Sequence, residues 1–173
     1  HIVRPDVFRA RISPMRLVQV AALLLSAAAS APVLAQGCTG TPLTVAQINA
    51  LVTGNTVCGR PGPGYPGSAS DRFQEAHVSG GDLVDYKLGA GHPVDPREKV
   101  GTWEARAGAS RDDPNTIVHR YSPTVGFTWV MFGPVTNTPG SSVYSFCTAG
   151  LAKVEHVRAY IIVGTTSPCG SYP

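Results

Sequence analysis

Apolar and polar side chains alternate at every second position in much of the chain beyond residue 55, a period typical of strands with one buried face. Gly-, Pro-, Asn- and Asp-rich segments separate these stretches and predict turns. Eight strands are predicted: Asn55–Gly59, Arg72–Val78, Asp82–Leu88, Val100–Ala107, Thr116–Tyr121, Phe127–Phe132, Ser142–Thr148 and His156–Val163. Because the links are brief and hold no crossover helix, we expect a mainly β fold, an antiparallel up-and-down meander forming a barrel or half-barrel.

One helix is predicted before the strands, in the segment LTVAQINALVTG. Thr44 and Gln47 have the spacing of a capping box, and Leu43 with Ile48 has that of a hydrophobic staple. Gly54 is a suitable residue for ending the helix. The apolar positions fall on one side, so we expect this N-terminal helix to pack on the barrel.

The sequence pattern of the first 35 residues predicts an upstream extension followed by a secretory signal peptide. Met15 is the expected start, and one Arg, an apolar run over 17–29 and the sequence VLA at 33–35 follow it. The mature protein, from Gln36, is expected to be a single β-barrel domain over 36–173, secreted or periplasmic, without membrane insertion. Lipidation of Cys38 as the first residue of a lipoprotein is the alternative.

Cleavage at this point changes the net charge of +3. Removing four Arg from the 14 basic side chains and one Asp from the 11 acidic ones leaves ten of each. A neutral chain of this kind gives no support to a nucleic-acid partner.

The cysteines number four and all follow the expected cleavage site: Cys38, Cys58, Cys147 and Cys169. An even count in an exported chain predicts two disulfides. Their sequence surroundings favour Cys58–Cys147, which joins two strand-like segments, and Cys38–Cys169, which joins two terminal ones. Local bridges, Cys38–Cys58 and Cys147–Cys169, stay open as the alternative. No Cys or His spacing argues for a metal site, and no cofactor is expected.

Several short motifs occur in a recognisable order: the helix, LVTGNTV at 51–57, GTW at 101–103, aromatic strands, and YSFC at 144–147. This order, over about residues 43–162, resembles that of small exported bacterial proteins of uncharacterised function with a calycin-like barrel of the lipocalin and avidin type. The resemblance implies a fold and a compartment, and it carries no catalytic residue with it.

Candidate ligand-binding residues lie on four strands: Glu75, His77, Trp103, His119, Tyr121 and Trp129. Glu75 and His77 share one face of their strand, and His119 and Tyr121 share one face of another. If these faces converge inside the barrel, they form a polar floor that can orient a ligand or move a proton. Trp103 has a simpler interpretation, in which it packs against the helix or plugs one end of the barrel.

The strand at 127–132 is apolar on both faces, so both need cover. One face is expected in the core. The other is expected to meet a subunit, the edge of a groove, or the helix.

Three functions are consistent with these features. The leading hypothesis is an exported, non-catalytic barrel that binds a small molecule or a partner protein. The first alternative is a hydrolase or isomerase that uses Glu75, His77, His119 and Tyr121 as acids and bases. The second is an envelope inhibitor or interaction module that uses the loops at 59–70 and 108–115. GPGYPG at 62–67 matches a dinucleotide-binding pattern, but its prolines lack N–H groups and no helix follows, so a loop is expected.

Overall fold

A computed structural model describes residues 38–65, 71–85, 97–134 and 142–173. These residues lie in one compact unit, Leu34–Pro173. The elements are α1 Val45–Val52, β1 Asn55–Pro61, β2 Phe73–His77, β3 Asp82–Asp85, β4 Glu98–Ala107, β5 Asn115–Arg120, β6 Gly126–Phe132, β7 Val143–Thr148 and β8 Glu155–Val163. Every strand pairs antiparallel with the next, and β8 pairs with β1, so the sheet closes into a barrel. The predicted eight-stranded meander with one packed helix is confirmed.

Some predictions fall outside the described residues, namely the extension and signal peptide at 1–35, positions 86–88 of the third strand and residues 66–70 of the Gly/Pro-rich loop. The start of that loop differs from the expectation. β1 continues to Pro61 along β8, and the Gly62 and Gly64 N–H groups donate to the His156 and Glu155 carbonyl oxygens. No helix in the described part of the chain has the length and apolar character required to cross a membrane.

The register of the strands decides which side chains face the interior. Val57 of β1 lies opposite Glu75 of β2, and Trp103 of β4 lies opposite His119 of β5. Because alternate residues of a strand face opposite sides, residues two positions away share the same face. The strand residues of the interior core are Val57, Leu83, Trp103, Ile117, Trp129, Met131, Tyr144, Phe146, Val157, Ala159 and Ile161.

Helix α1 closes one end of the barrel. Its first turn is stabilised by the predicted capping box, in which the Thr44 hydroxyl accepts from the Gln47 N–H at 3.2 Å and the Gln47 side chain accepts from the Thr44 N–H at 2.8 Å. Gly54 follows the helix with a φ of 73°, a conformation that favours glycine. The apolar face of α1 packs into the same core as the strands, against β1, β4 and β5; its buried residues are Ile48, Leu51 and Val52.

The glycine of the GTW motif is required by a close approach between two strands. A Cβ on Gly101 would lie 2.3 Å from the Arg120 carbonyl oxygen, which is closer than real side chains approach. Trp103 is buried in the core, and its Nε1–H donates to the Val78 carbonyl oxygen at 3.1 Å. The motif therefore serves the packing of β4.

Two disulfides join terminal segments to the outer wall, Cys38–Cys147 and Cys58–Cys169. Both pairings weighed from the sequence are therefore wrong. Cys58 lies on β1 and Cys147 on β7, and β8 separates these strands. Two strand spacings are ~9.6 Å, beyond the ~7 Å that a disulfide spans between Cα atoms. The Cys38 sulfur is bonded to Cys147, which leaves no thiol for the lipid of the lipoprotein alternative.

The outer face of β6 is covered by the segment that carries Cys38. Cys38 packs on a buried cluster of Val130, Phe132 and Cys147. This contact explains why both faces of β6 are apolar. The outer face of β6 is therefore not the surface on which helix α1 packs. The two disulfides indicate an oxidising environment for the folded chain.

Candidate functional site

A cavity of about 310 Å³ lies within the barrel, among residues from the ends of strands away from α1. Phe73 begins β2, Pro61 ends β1 and Phe127 lies at the start of β6, whereas α1 adjoins the opposite ends of these strands. The lining residues are Val57, Pro61, Tyr65, Asp71, Arg72, Phe73, Glu75, His119, Tyr121, Phe127, Trp129, Phe146, His156 and Val157. Tyr65, Asp71 and Arg72 are exposed and mark the opening.

The polar floor of this cavity consists of Glu75, His119 and Tyr121. The Tyr121 hydroxyl donates to Glu75 Oε1 at 2.6 Å. His119 Nδ1 lies 3.2 Å from Glu75 Oε2 and 3.3 Å from the Tyr121 oxygen. Glu75 and His119 are buried, with 7% and 2% of their surface exposed. The predicted inward convergence of the two strand faces therefore occurs, and it brings three titratable side chains into hydrogen-bonding range.

His77 lies behind the polar floor and does not line the cavity. Its Nε2 is 2.9 Å from His119 Nε2, and its Nδ1 is 3.2 Å from the Glu75 carbonyl oxygen. Burial and the proximity of His119 hold the pKa of His77 well below its ordinary value. His77 is therefore neutral at pH 7 and acts as a hydrogen-bonding partner of His119.

Tyr121 is held in its protonated form. Burial raises the pKa of its hydroxyl, and the negative charge and hydrogen bond of Glu75 raise it further. Asp85, opposite Glu75 in the β2–β3 register, acts in the same direction. The hydroxyl therefore stays protonated throughout the ordinary pH range.

The two predicted tryptophans have different positions. Trp129 lines the cavity, its ring stacked on Phe127 at a centroid distance of 5.3 Å and an interplanar angle of 7°. It also meets His119 edge-on at 5.0 Å. Trp103 lies behind His77, with ring centroids 5.1 Å apart, and does not line the cavity. The simpler interpretation of Trp103, as packing against the helix or plugging one end of the barrel, agrees with its place in the same buried cluster as the helix residues.

Several lining residues were not among the predicted site residues. Phe73 lies two residues before Glu75 on the same face of β2, so the period of two could have found it. Its ring lies over Gly59, where a Cβ would be 2.2 Å from the Phe73 ring. Tyr65 and Asp71 come from the connection between β1 and β2, where no sequence period exists to indicate a position.

The loop at 108–115 is tied to the β7–β8 connection. The buried Asp113 accepts from Lys153 Nζ and from the Gly150 N–H. Asn115 already belongs to β5. This loop is therefore more constrained than a free reactive loop would be.

Within the described ranges, no three His, Cys, Asp or Glu side chains are grouped as metal ligands would be. Comparisons of the chain with protein-family models, with curated proteins and with solved structures gave no match. The calycin-like resemblance stays a prediction, and the function is inferred from the geometry of the cavity alone.

Proposed function

We propose that this chain is an exported, non-catalytic β-barrel protein that binds a small molecule inside the barrel. The observation that carries the proposal is the cavity of about 310 Å³, which has aromatic and aliphatic walls and a polar floor. Small-molecule sites have this construction, with mostly apolar walls and few polar groups that fix the orientation of the ligand. The volume lies near the lower end of the ~300–1,000 Å³ typical of such sites.

The closed barrel supports a preformed site. Helix α1 fills the end of the barrel opposite the cavity, and the stacked pair Phe127–Trp129 supplies a rigid wall. Disulfides join both terminal segments to the outer wall, which limits local opening of the sheet. A site of this kind has little ordering cost to overcome when a ligand enters.

Export to the periplasm or the extracellular medium is part of the proposal, as is membership of the calycin-like barrels. The signal-like sequence at 15–35 and the two disulfides support export. The antiparallel closed barrel with an internal cavity supports the calycin-like assignment. The partner is then a small molecule, and no nucleic acid is required.

Calorimetric titration with a panel of apolar and aromatic compounds tests the proposal, because a filled cavity should abolish binding. Val157 lines the cavity, whereas Val163, on the same strand, is exposed. Val157→Phe should reduce the affinity for any compound that binds at least tenfold, and Val163→Phe should leave it unchanged. Thermal unfolding of both variants checks that they fold. Equal affinities in two folded variants would contradict binding in this cavity.

A second candidate is an acid–base enzyme, and one observation favours it. Polar atoms of Glu75, His119 and Tyr121 lie within 3.3 Å of one another at the floor of an open cavity. Acid–base catalysis requires such hydrogen-bonding distances. Turnover of p-nitrophenyl esters by the wild-type protein and by Glu75→Gln would test a hydrolase. A hydrolase should lose at least ~100-fold in kcat in this variant, and the surface variant Glu104→Gln should retain full activity. Turnover equal in wild type and Glu75→Gln would contradict this role.

A further inference from the structure

The hydrogen-bond donors around the polar floor are engaged with one another, beginning with His77. The Glu75 carbonyl oxygen can only accept, so His77 Nδ1 carries the proton that joins them. Nε2 of the neutral His77 ring then accepts, and the His119 Nε2–H donates to it at 2.9 Å. One of the two His119 nitrogens is thereby used for a group that lies outside the cavity.

The Tyr121 hydroxyl has a single proton, and it donates this proton to Glu75 Oε1 at 2.6 Å. His119 Nδ1 lies 3.3 Å from the Tyr121 oxygen, so a proton on this nitrogen also has an acceptor within the network. Glu75 Oε2, in contrast, is buried and has no hydrogen-bond partner among the described residues. Every N–H and O–H of the polar floor therefore has an acceptor within the network, whereas Glu75 Oε2 has no donor in the part of the chain that the structure describes.

The polar floor therefore presents only acceptors to the cavity, namely lone pairs of the Glu75 carboxyl and of the Tyr121 oxygen. Asp85, opposite Glu75 in the register, places a second carboxylate near the same hydroxyl. A ligand group that can only accept would leave Glu75 Oε2 without a partner in a buried site, and an anion would also be repelled.

We infer that the cavity takes a small aromatic molecule whose inner end is a hydrogen-bond donor, a hydroxyl or an amine, and that it rejects a carboxylate at that end. This inference rests on the proposed binding function and names the chemical class of its ligand. The aromatic body is indicated by the walls, where Phe73, Phe127 and Trp129 offer ring faces and edges. The volume of about 310 Å³ suits one or two fused rings.

Four probes with one ring system separate the two parts of the inference: naphthalene, 2-naphthol, 2-naphthylmethylamine and 2-naphthoate. Their affinities for the unmodified full chain are measured by calorimetry at pH 7. We expect 2-naphthol or the amine to bind at least tenfold more tightly than naphthalene, and 2-naphthoate to bind at least tenfold more weakly than either. The comparison of the neutral hydroxyl with the ammonium shows which donor the floor prefers.

Glu75→Gln provides the matched change, because the amide has nearly the same shape and carries N–H donors. The tenfold preference for 2-naphthol over naphthalene should fall below threefold, and the rejection of 2-naphthoate should weaken. Glu104 lies on the outer face of β4 and pairs with Arg106 and Arg120. Its variant Glu104→Gln should bind all four probes as the wild type does.

The outcomes of the wild-type titrations are distinguishable even if Glu75→Gln fails to fold. Binding of all four probes with equal affinity would leave the proposed binding function standing and overturn the donor requirement. Tightest binding of 2-naphthoate would overturn the donor requirement as well. Binding of none of the four would overturn the ligand class, and the wider panel tested with Val157→Phe would then decide the proposed function.

Discussion

Removal of the Cys58–Cys169 bridge tests both the pairing and the stability of the barrel. The perturbation is the double variant Cys58→Ala/Cys169→Ala, which leaves no free thiol and keeps the Cys38–Cys147 bridge. An isolated loop of 111 residues corresponds to ~5 kcal/mol in the chain-entropy model. The stabilisation by this bridge is smaller here, because the remaining Cys38–Cys147 bridge provides a shorter closed circuit of chain between Cys58 and Cys169.

The shorter circuit consists of about 20 residues between Cys38 and Cys58 and about 22 between Cys147 and Cys169. A closed ring of ~42 residues corresponds to ~4 kcal/mol. We therefore expect the free energy of unfolding to fall by about 4 kcal/mol and Tm by roughly 10–20 °C. Urea unfolding monitored by tryptophan fluorescence measures the first, and calorimetry the second.

The variant Cys58→Ala/Cys147→Ala provides the comparison. It removes one partner from each bridge, so it should lose about twice as much stability and expose two thiols in denaturant. If Cys58 paired with Cys147 instead, this variant would retain one bridge and the first variant would lose both. A greater stability of Cys58→Ala/Cys147→Ala, with no free thiol, would therefore refute the pairing.

Three further predictions concern the interior of the barrel. Tyr121→Phe removes the 2.6 Å hydrogen bond to the Glu75 carboxylate and should cost ~1.5–3 kcal/mol in urea unfolding; a loss below ~0.5 kcal/mol would contradict that bond. The pKa of His77 is lowered in the folded chain, so the unfolded chain binds more protons than the folded chain below pH ~6.5. The free energy of unfolding should therefore decrease as the pH is lowered below ~6.5, by up to ~1 kcal/mol per pH unit. His77→Asn should flatten this slope between pH 5 and 8, and an unchanged slope would assign it to other groups. Gly101→Ala should destabilise the fold by ~1–3 kcal/mol, because its Cβ would lie 2.3 Å from a backbone carbonyl oxygen. Gly170→Ala, whose Cβ would have no atom within 4 Å, should change the stability by less than ~0.5 kcal/mol. Equal effects of the two variants would show that the close approach is unimportant.

Much of the architecture could be predicted from local patterns. The period of two located every strand to within a few residues, and the Thr44–Gln47 capping box located the helix. Glu75 and His77, or His119 and Tyr121, share a face because successive strand residues alternate between sides. The pairing of the strands in the closed barrel then places these faces in the interior.

The ends of the site could not be predicted in this way. Tyr65 and Asp71 line the cavity from a connection, where the backbone has no period to exploit. Trp103 and Trp129 each follow a threonine within a strand, yet only Trp129 lines the cavity. The difference arises because α1 fills the end of the barrel nearer to Trp103. The surface on which a helix packs depends on the whole tertiary arrangement.

The sequence by itself determined the class of fold, the capped helix, the turns and the number of bridges, because each depends on residues close together along the chain. The tertiary structure decided the pairing of the cysteines, since β8 lies between the strands that carry Cys58 and Cys147. It also decided that Glu75, His119 and Tyr121 meet at the base of a cavity while His77 and Trp103 lie behind it. These outcomes depend on closure of the sheet, which joins residues far apart in the chain.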